Sequence, residues 1–158
     1  MVLYYTKGRK TKVFAEALAE VTEYPIQELK TSLNDKGHTA FIFRSLTLAI
    51  SGKAYPVSNM PEDMPDEIFV CAPVWAGRPA APALYFLQNA DLTNKKVNML
   101  LTCASATSGE KYKQKALDIL NKTSCETGEV YVFVTTKQLP KHALAVEQLT
   151  QMLHEPVD

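Results

Sequence analysis

The sequence predicts an α/β protein built on a five-stranded parallel sheet with helices on both faces, and three observations lead there. Five short runs, at residues 2–5, 26–30, 68–72, 97–102 and 129–135, are rich in apolar or β-branched residues and too brief for helices, so they suit strands. Most of the stretches between them repeat apolar residues at helical spacing, and parallel neighbours require such crossover connections. The composition, 46% hydrophobic and 22% charged over 158 residues, is that of an ordinary globular domain, so one domain spanning residues 1–158 is expected.

Residues 2–5 form the first strand, which stops at a polar loop over residues 6–11. Val13, Ala17, Leu18 and Val21 then mark one face of an amphipathic helix, with Lys12, Glu16 and Glu20 opposite. Pro25 cannot continue that helix, and the alternation after it gives a weak second strand at an edge. Residues 31–36 read as connection. Residues 40–51 carry Phe41, Leu46, Leu48, Ala49 and Ile50 and form a largely apolar helix closed by Gly52; such a helix must pack against something. Pro61 and Pro65 mark a loop into residues 68–72, an uninterrupted apolar run expected at the sheet centre. Pro73, Gly77, Pro79 and Pro82 then take the chain out as a loop bearing an exposed Trp75. A helix over residues 82–89 turns Leu84 and Leu87 to the sheet. Residues 97–102 make a buried strand closed by Cys103, followed by six small residues, 104–109, and a helix whose inner face is Tyr112, Ala116, Ile119 and Leu120. The fifth strand, residues 129–135, precedes a last helix marked by Val146, Leu149 and Leu153.

Seventeen basic residues balance seventeen acidic ones, so the total charge favours neither nucleic acid nor an anionic membrane as partner. Cys71, Cys103 and Cys125 are odd in number and lack metal-type spacing, the first residues turn polar too soon for a signal peptide, and the cytoplasm is the expected compartment. The longest apolar segment, residues 40–50, contains Arg44 and is about half the ~20 residues a membrane span needs, so no span is expected. His38, His142 and His154 stand apart with no partner at ligand spacing and read as surface residues; no metal site is expected.

Two crests carry the candidate chemistry. Thr6, Lys7, Gly8, Arg9, Lys10 and Thr11 run straight into a helix, where free backbone N–H groups, the helix dipole, two hydroxyls and three cations suit a phosphate; the alternative is a solvated turn capped by threonine. Pro73, Val74, Trp75, Ala76 and Gly77 follow the central strand, and open α/β sheets bind ligands at such strand ends.

With the loop after residue 102 these stretches resemble the flavodoxin family, including its short-chain members, along nearly the whole chain. Residues 2–11 are similar to the family's phosphate loop, with Thr6 and Thr11 at its first and last hydroxyl positions. Gly8 stands where threonine is usual and Arg9 where glycine is usual, so either Arg9 turns left-handed, at about 1–2 kcal/mol, or Gly8 makes the turn in a shifted register. Residues 74–79 resemble the loop flanking the flavin ring, and 103–109 the small-residue loop on its other side.

The resemblance implies the strand order 2-1-3-4-5 and FMN as cofactor. Trp75 would pack on the flavin ring, Pro73, Val74 and Ala76 would flank it, and Gly77 would let the backbone approach. Thr102, Cys103, Ala104, Ser105, Ser108 and Gly109 would meet its polar edge, with no catalytic side chain required. It further implies an oxidoreductase role, either electron transfer to a redox partner protein or flavin-dependent reduction of a small acceptor such as a quinone. Family electron carriers are strongly acidic, whereas this chain is neutral, which favours a reductase or an unspecialised member. The alternative is a binding or interaction protein that kept the fold and lost FMN, motivated by Gly8 and Arg9. A phosphoacceptor receiver domain shares the topology, but Thr6 and Pro73 stand where its acids belong.

Overall fold

The structure, a computed structural model, describes residues 1–154. The elements run β1 (Val2–Tyr4), α1 (Lys10–Thr22), β2 (Ile26–Glu28), α2 (His38–Ser51), β3 (Glu67–Trp75), β4 (Arg78–Pro79), α3 (Ala81–Asn89), β5 (Lys96–Cys103), α4 (Gly109–Leu120), β6 (Glu126–Val134) and α5 (His142–His154). Five strands lie parallel in the order β2-β1-β3-β5-β6. With β4 set aside, this is the expected 2-1-3-4-5 order.

Strand alternation divides the core into two layers. Leu3, Tyr5, Ile68, Val70, Ala72, Val97, Met99 and Leu101 face one side and pack with Phe86 and Leu87 of α3 and with Ala116 and Leu120 of α4. Val2, Tyr4, Phe69, Cys71 and Leu100 face the other, against Phe14 and Leu18 of α1 and Ala145 and Leu149 of α5. Both faces of β3 and β5 are therefore covered, which is why their sequences read as continuous apolar runs rather than alternating ones. Cys71 and Cys103 are buried in these strands as expected. Cys125 is half-buried and packs at the edge of the first layer.

Three expectations change. The central strand does not end at Pro73 but runs to Trp75, where Ala76 (φ 44°) and Gly77 (φ 81°) turn it back into β4, with Trp75 paired to Arg78 and Val74 to Pro79. Two successive positive φ values make the tight hairpin that matches strand twist. Prolines flanking this turn made it read as open loop. Pro73 acts instead on the other neighbour: the ladder in which Phe69 N–H bonds Met1 O and Tyr5 N–H bonds Cys71 O would next need an N–H from Pro73. None exists, so β1 is released into the loop at Thr6.

Residues 31–36 contain a 3-10 turn, Ser32–Asp35, whose Leu33 is buried and whose N-cap Thr31 accepts from Leu33 N–H. Finally, α2 starts at His38 and buries only Ser45, Leu48 and Ala49, leaving most of its apolar side chains open.

Candidate functional site

Parallel order and the early end of β1 bring three loops to one end of the sheet. Thr6, Lys7, Gly8, Lys10 and Thr11 from the first, Pro73, Val74 and Trp75 from the second, and Thr102, Cys103 and Ala104 from the third line one pocket of about 270 Å³, together with Thr135. Thr6 and Trp75 thus share a cavity. A larger depression of about 440 Å³ lies elsewhere, over Arg78, α3 and the end of α4.

The first loop is held by groups that sequence patterns did not single out. Tyr5 is fully buried and its hydroxyl donates to Asn34 Oδ1 at 2.8 Å, while Asn34 Nδ2 donates to Thr6 O at 3.2 Å. Burial pushes the Tyr5 phenol well above its usual range, so it stays a neutral donor. Lys7 Nζ donates to Asn34 O at 2.5 Å and lies 4.9 Å from the centre of the Phe41 ring; Lys10 Nζ bonds Thr136 O. Asn34 sits in a polar segment without periodicity, and Thr135 closes the expected fifth strand, where the alternation gives no sign of its contact with the third loop.

Arg9, not Gly8, makes the left-handed turn, with φ 67° and ψ −13° at the N-cap of α1. Its side chain is exposed and provides no cap. The first turn of α1 contains no acid, so its leading N–H groups point from the helix end with no carboxylate competing for them. Lys7, Arg9 and Lys10 have no ion-pair partner among the described residues. Thr11 Oγ1 is 2.8 Å from Thr102 Oγ1, a buried hydroxyl pair tying α1 to β5. Thr135 N–H and Oγ1 both donate to Cys103 O, at 2.7 and 3.2 Å, and fix the third loop.

Trp75 is half-buried rather than exposed. Its ring meets Tyr5 edge-on at 5.4 Å and 88°, and Phe41 at 5.7 Å and 85°, so the indole is fixed by two perpendicular aromatic contacts beside the pocket. Arg9, Ala76, Gly77, Ser105, Ser108 and Gly109 do not line this pocket. Arg9 points to solvent, and Ser105 and Ser108 bond within their own loop. Lys115 and Tyr112 crowd Gly77: a β-carbon there would lie 3.2 Å from Lys115 Nζ. Gly109 opens a separate depression with Glu110, Lys113 and Phe133.

No family model matches the chain, and no curated protein does. Solved structures do. A candidate flavoprotein from Bacteroides uniformis superposes with TM-score 0.75 at 14% identity, over 98% of this chain and 97% of that one. A flavoprotein from Lactobacillus acidophilus in complex with FMN gives TM-score 0.65 at 23% identity, over 83% and 90%. Flavodoxin 1 from Bacillus cereus gives 0.55 at 18%, over 96% and 91%. The fold is flavodoxin-like. In flavodoxin-like topology β1 and β3 flank the point where strand order reverses, and loops diverging there leave a crevice. In this flavodoxin-like chain the pocket occupies that crevice, which is why residues some seventy positions apart meet in it. No described helix is long and apolar enough to cross a membrane.

Proposed function

We propose that the chain binds FMN in the three-loop pocket and serves as an electron-transfer protein or a flavin-dependent reductase of a small acceptor in the cytoplasm. The observation that carries this reading is the shared cavity: a hydroxyl- and cation-bearing helix N-terminus on one side and an indole on the other, across a sheet switch point. The residues present fit the group. The leading N–H groups of α1, the Thr6 hydroxyl and the Lys7 and Lys10 ammonium groups, which meet backbone carbonyls but no carboxylate among the described residues, suit a phosphate, and the Arg9 turn opens the helix end as glycine would.

Trp75, braced by Tyr5 and Phe41, offers an aromatic wall beside the ring position, and the loop after Thr102, fixed through Thr135, offers backbone groups to its polar edge. FMN, when bound, supplies reversible one- and two-electron transfer. The protein's part is to hold it, exclude water from one side and set the charge nearby. The FMN complex of the Lactobacillus acidophilus neighbour supports the choice of ligand.

Reconstitution with FMN tests the reading. At a free concentration of about 100 times Kd, binding stabilises the native state by about 2.7 kcal/mol, a rise in Tm of roughly 5–10 °C for a chain this size. Reduction of the bound flavin by NADH or NADPH then separates a reductase from a carrier. A second reading, a binding protein that kept the fold without the cofactor, is favoured by the cavity of about 270 Å³ and by the Thr11 hydroxyl already being paired to Thr102. It predicts no Tm shift with FMN.

A further inference from the structure

Helix α2 touches the rest of the molecule along one narrow side, through buried Ser45, Leu48 and Ala49 and through Phe41 against Trp75. Its opposite side is apolar and open. Ile42 is 51% exposed, Phe43 74%, Leu46 51% and Ile50 69%. At the helical repeat these four fall in one arc, which otherwise holds only Thr39; Arg44 projects from the far flank. Contiguous apolar patches of a few hundred Å² are the largest that single domains usually expose, and they are often functional.

The spacing selects the occupant. Ile42, Leu46 and Ile50 are four apart and symmetric about Leu46, so the stripe is complementary to itself when reversed. Two copies crossing antiparallel about a two-fold axis at Leu46 place that leucine against its own copy and each Ile42 against an Ile50 of the second copy, ridge into groove. A different partner would have to supply its own matching stripe, whereas a second copy always carries one. The stripe itself carries no charge.

The four side chains expose on the order of 100 Å² each, so a pair of helices shares roughly 800 Å² from them alone and, with the flanking threonines, comes near the ~1,000 Å² lower bound of specific interfaces. We propose that this face of α2 is a homodimer interface, of modest affinity and therefore concentration-dependent. Phe41, on the flank of the same helix, contacts Trp75 and carries the Lys7 ammonium over its ring, so pairing of α2 also braces one wall of the three-loop pocket.

Sedimentation equilibrium across the micromolar range tests this. The wild-type mass should rise from 17.6 kDa toward twice that value, and Leu46→Glu should remain at 17.6 kDa with unchanged circular dichroism. In a Cys125→Ser background, which removes the one partly exposed thiol among the described residues, Leu46→Cys should oxidise to a covalent dimer. Ile42→Cys should not cross-link with itself but should link to Ile50→Cys when the two variants are mixed. A wild type that stays monomeric at its highest soluble concentration overturns the proposal. So does a dimer that survives Leu46→Glu, or one in which Ile42→Cys links to itself.

Discussion

Replacing Arg9 with glycine should make this protein more stable, although it deletes a charged side chain from the loop that leads into α1. Arg9 sits at φ 67°, a conformation that costs an L-residue about 1–2 kcal/mol. Its side chain is exposed and makes no hydrogen bond or ion pair among the described residues, so little is lost with it. Glycine relieves the strain but raises the entropy of the unfolded chain by about 0.4–1 kcal/mol, leaving a net gain of roughly 0.5–1 kcal/mol. Glycine is also a better N-cap than a long side chain, which acts in the same direction.

At about 2–4 °C per kcal/mol for a chain of this size, Tm should rise by roughly 1–4 °C. Two comparators fix the signs. Gly8 does not have a positive φ and a β-carbon there meets nothing within 4 Å, so Gly8→Ala should also stabilise, by about 0.4–1 kcal/mol. Gly77, at φ 81° and crowded by Lys115, should lose about 1–2 kcal/mol as alanine. Differential scanning calorimetry of the three variants decides the matter. A Tm that falls in Arg9→Gly, or rises in Gly77→Ala, would refute the assignment of strain to these positions.

Thr102→Val should cost about 1–3 kcal/mol by leaving the buried Thr11 hydroxyl unpaired, while the double variant with Thr11→Val should cost clearly less than the two single changes added, as a double-mutant cycle in urea would show. Above pH 9 the protein should lose stability steadily. Burial pushes the Cys71 thiol and the Tyr5 phenol up, so between their unfolded and folded pKa values the unfolded chain releases protons that the folded one keeps, at about 1.4 kcal/mol per pH unit for each group. Glu67 behaves oppositely: desolvation opposes its charge, but hydrogen bonds from Tyr24, Asn98 and Lys96 outweigh it and hold the carboxyl below 4.5. Its contribution is present above pH 4.5 and disappears as pH falls through the folded value, and Asn98→Ala should make that acid loss shallower in pH-dependent melts.

Much of the architecture was legible because β3 and β5 are covered on both faces, and burial of that kind forces runs such as Ile68 to Ala72, which are too short for a helix and suit a central strand. The strand order came from resemblance, since spacing alone does not choose among parallel sheets. The hairpin at Ala76 and Gly77 was missed because alanine is a poor marker for a left-handed turn and three nearby prolines suggest loop. At the site, the residues that contact the pocket through their own strand ends, Thr6, Pro73, Trp75 and Thr102, were readable. Asn34 was not: it reaches Thr6 and Tyr5 from a 3-10 turn defined by tertiary contact. Gly109 lines another depression, and a small residue at a helix start looks the same in sequence whichever hollow it faces.

Trp75 is the chain's single tryptophan, so its emission reports directly on the proposed ring position. Titration with FMN should quench it saturably at one equivalent, and riboflavin, which lacks the phosphate that the Thr6 to Thr11 loop would hold, should require a much higher concentration. Emission that stays constant with FMN in large excess, or that responds equally to both flavins, would contradict the assignment of this pocket.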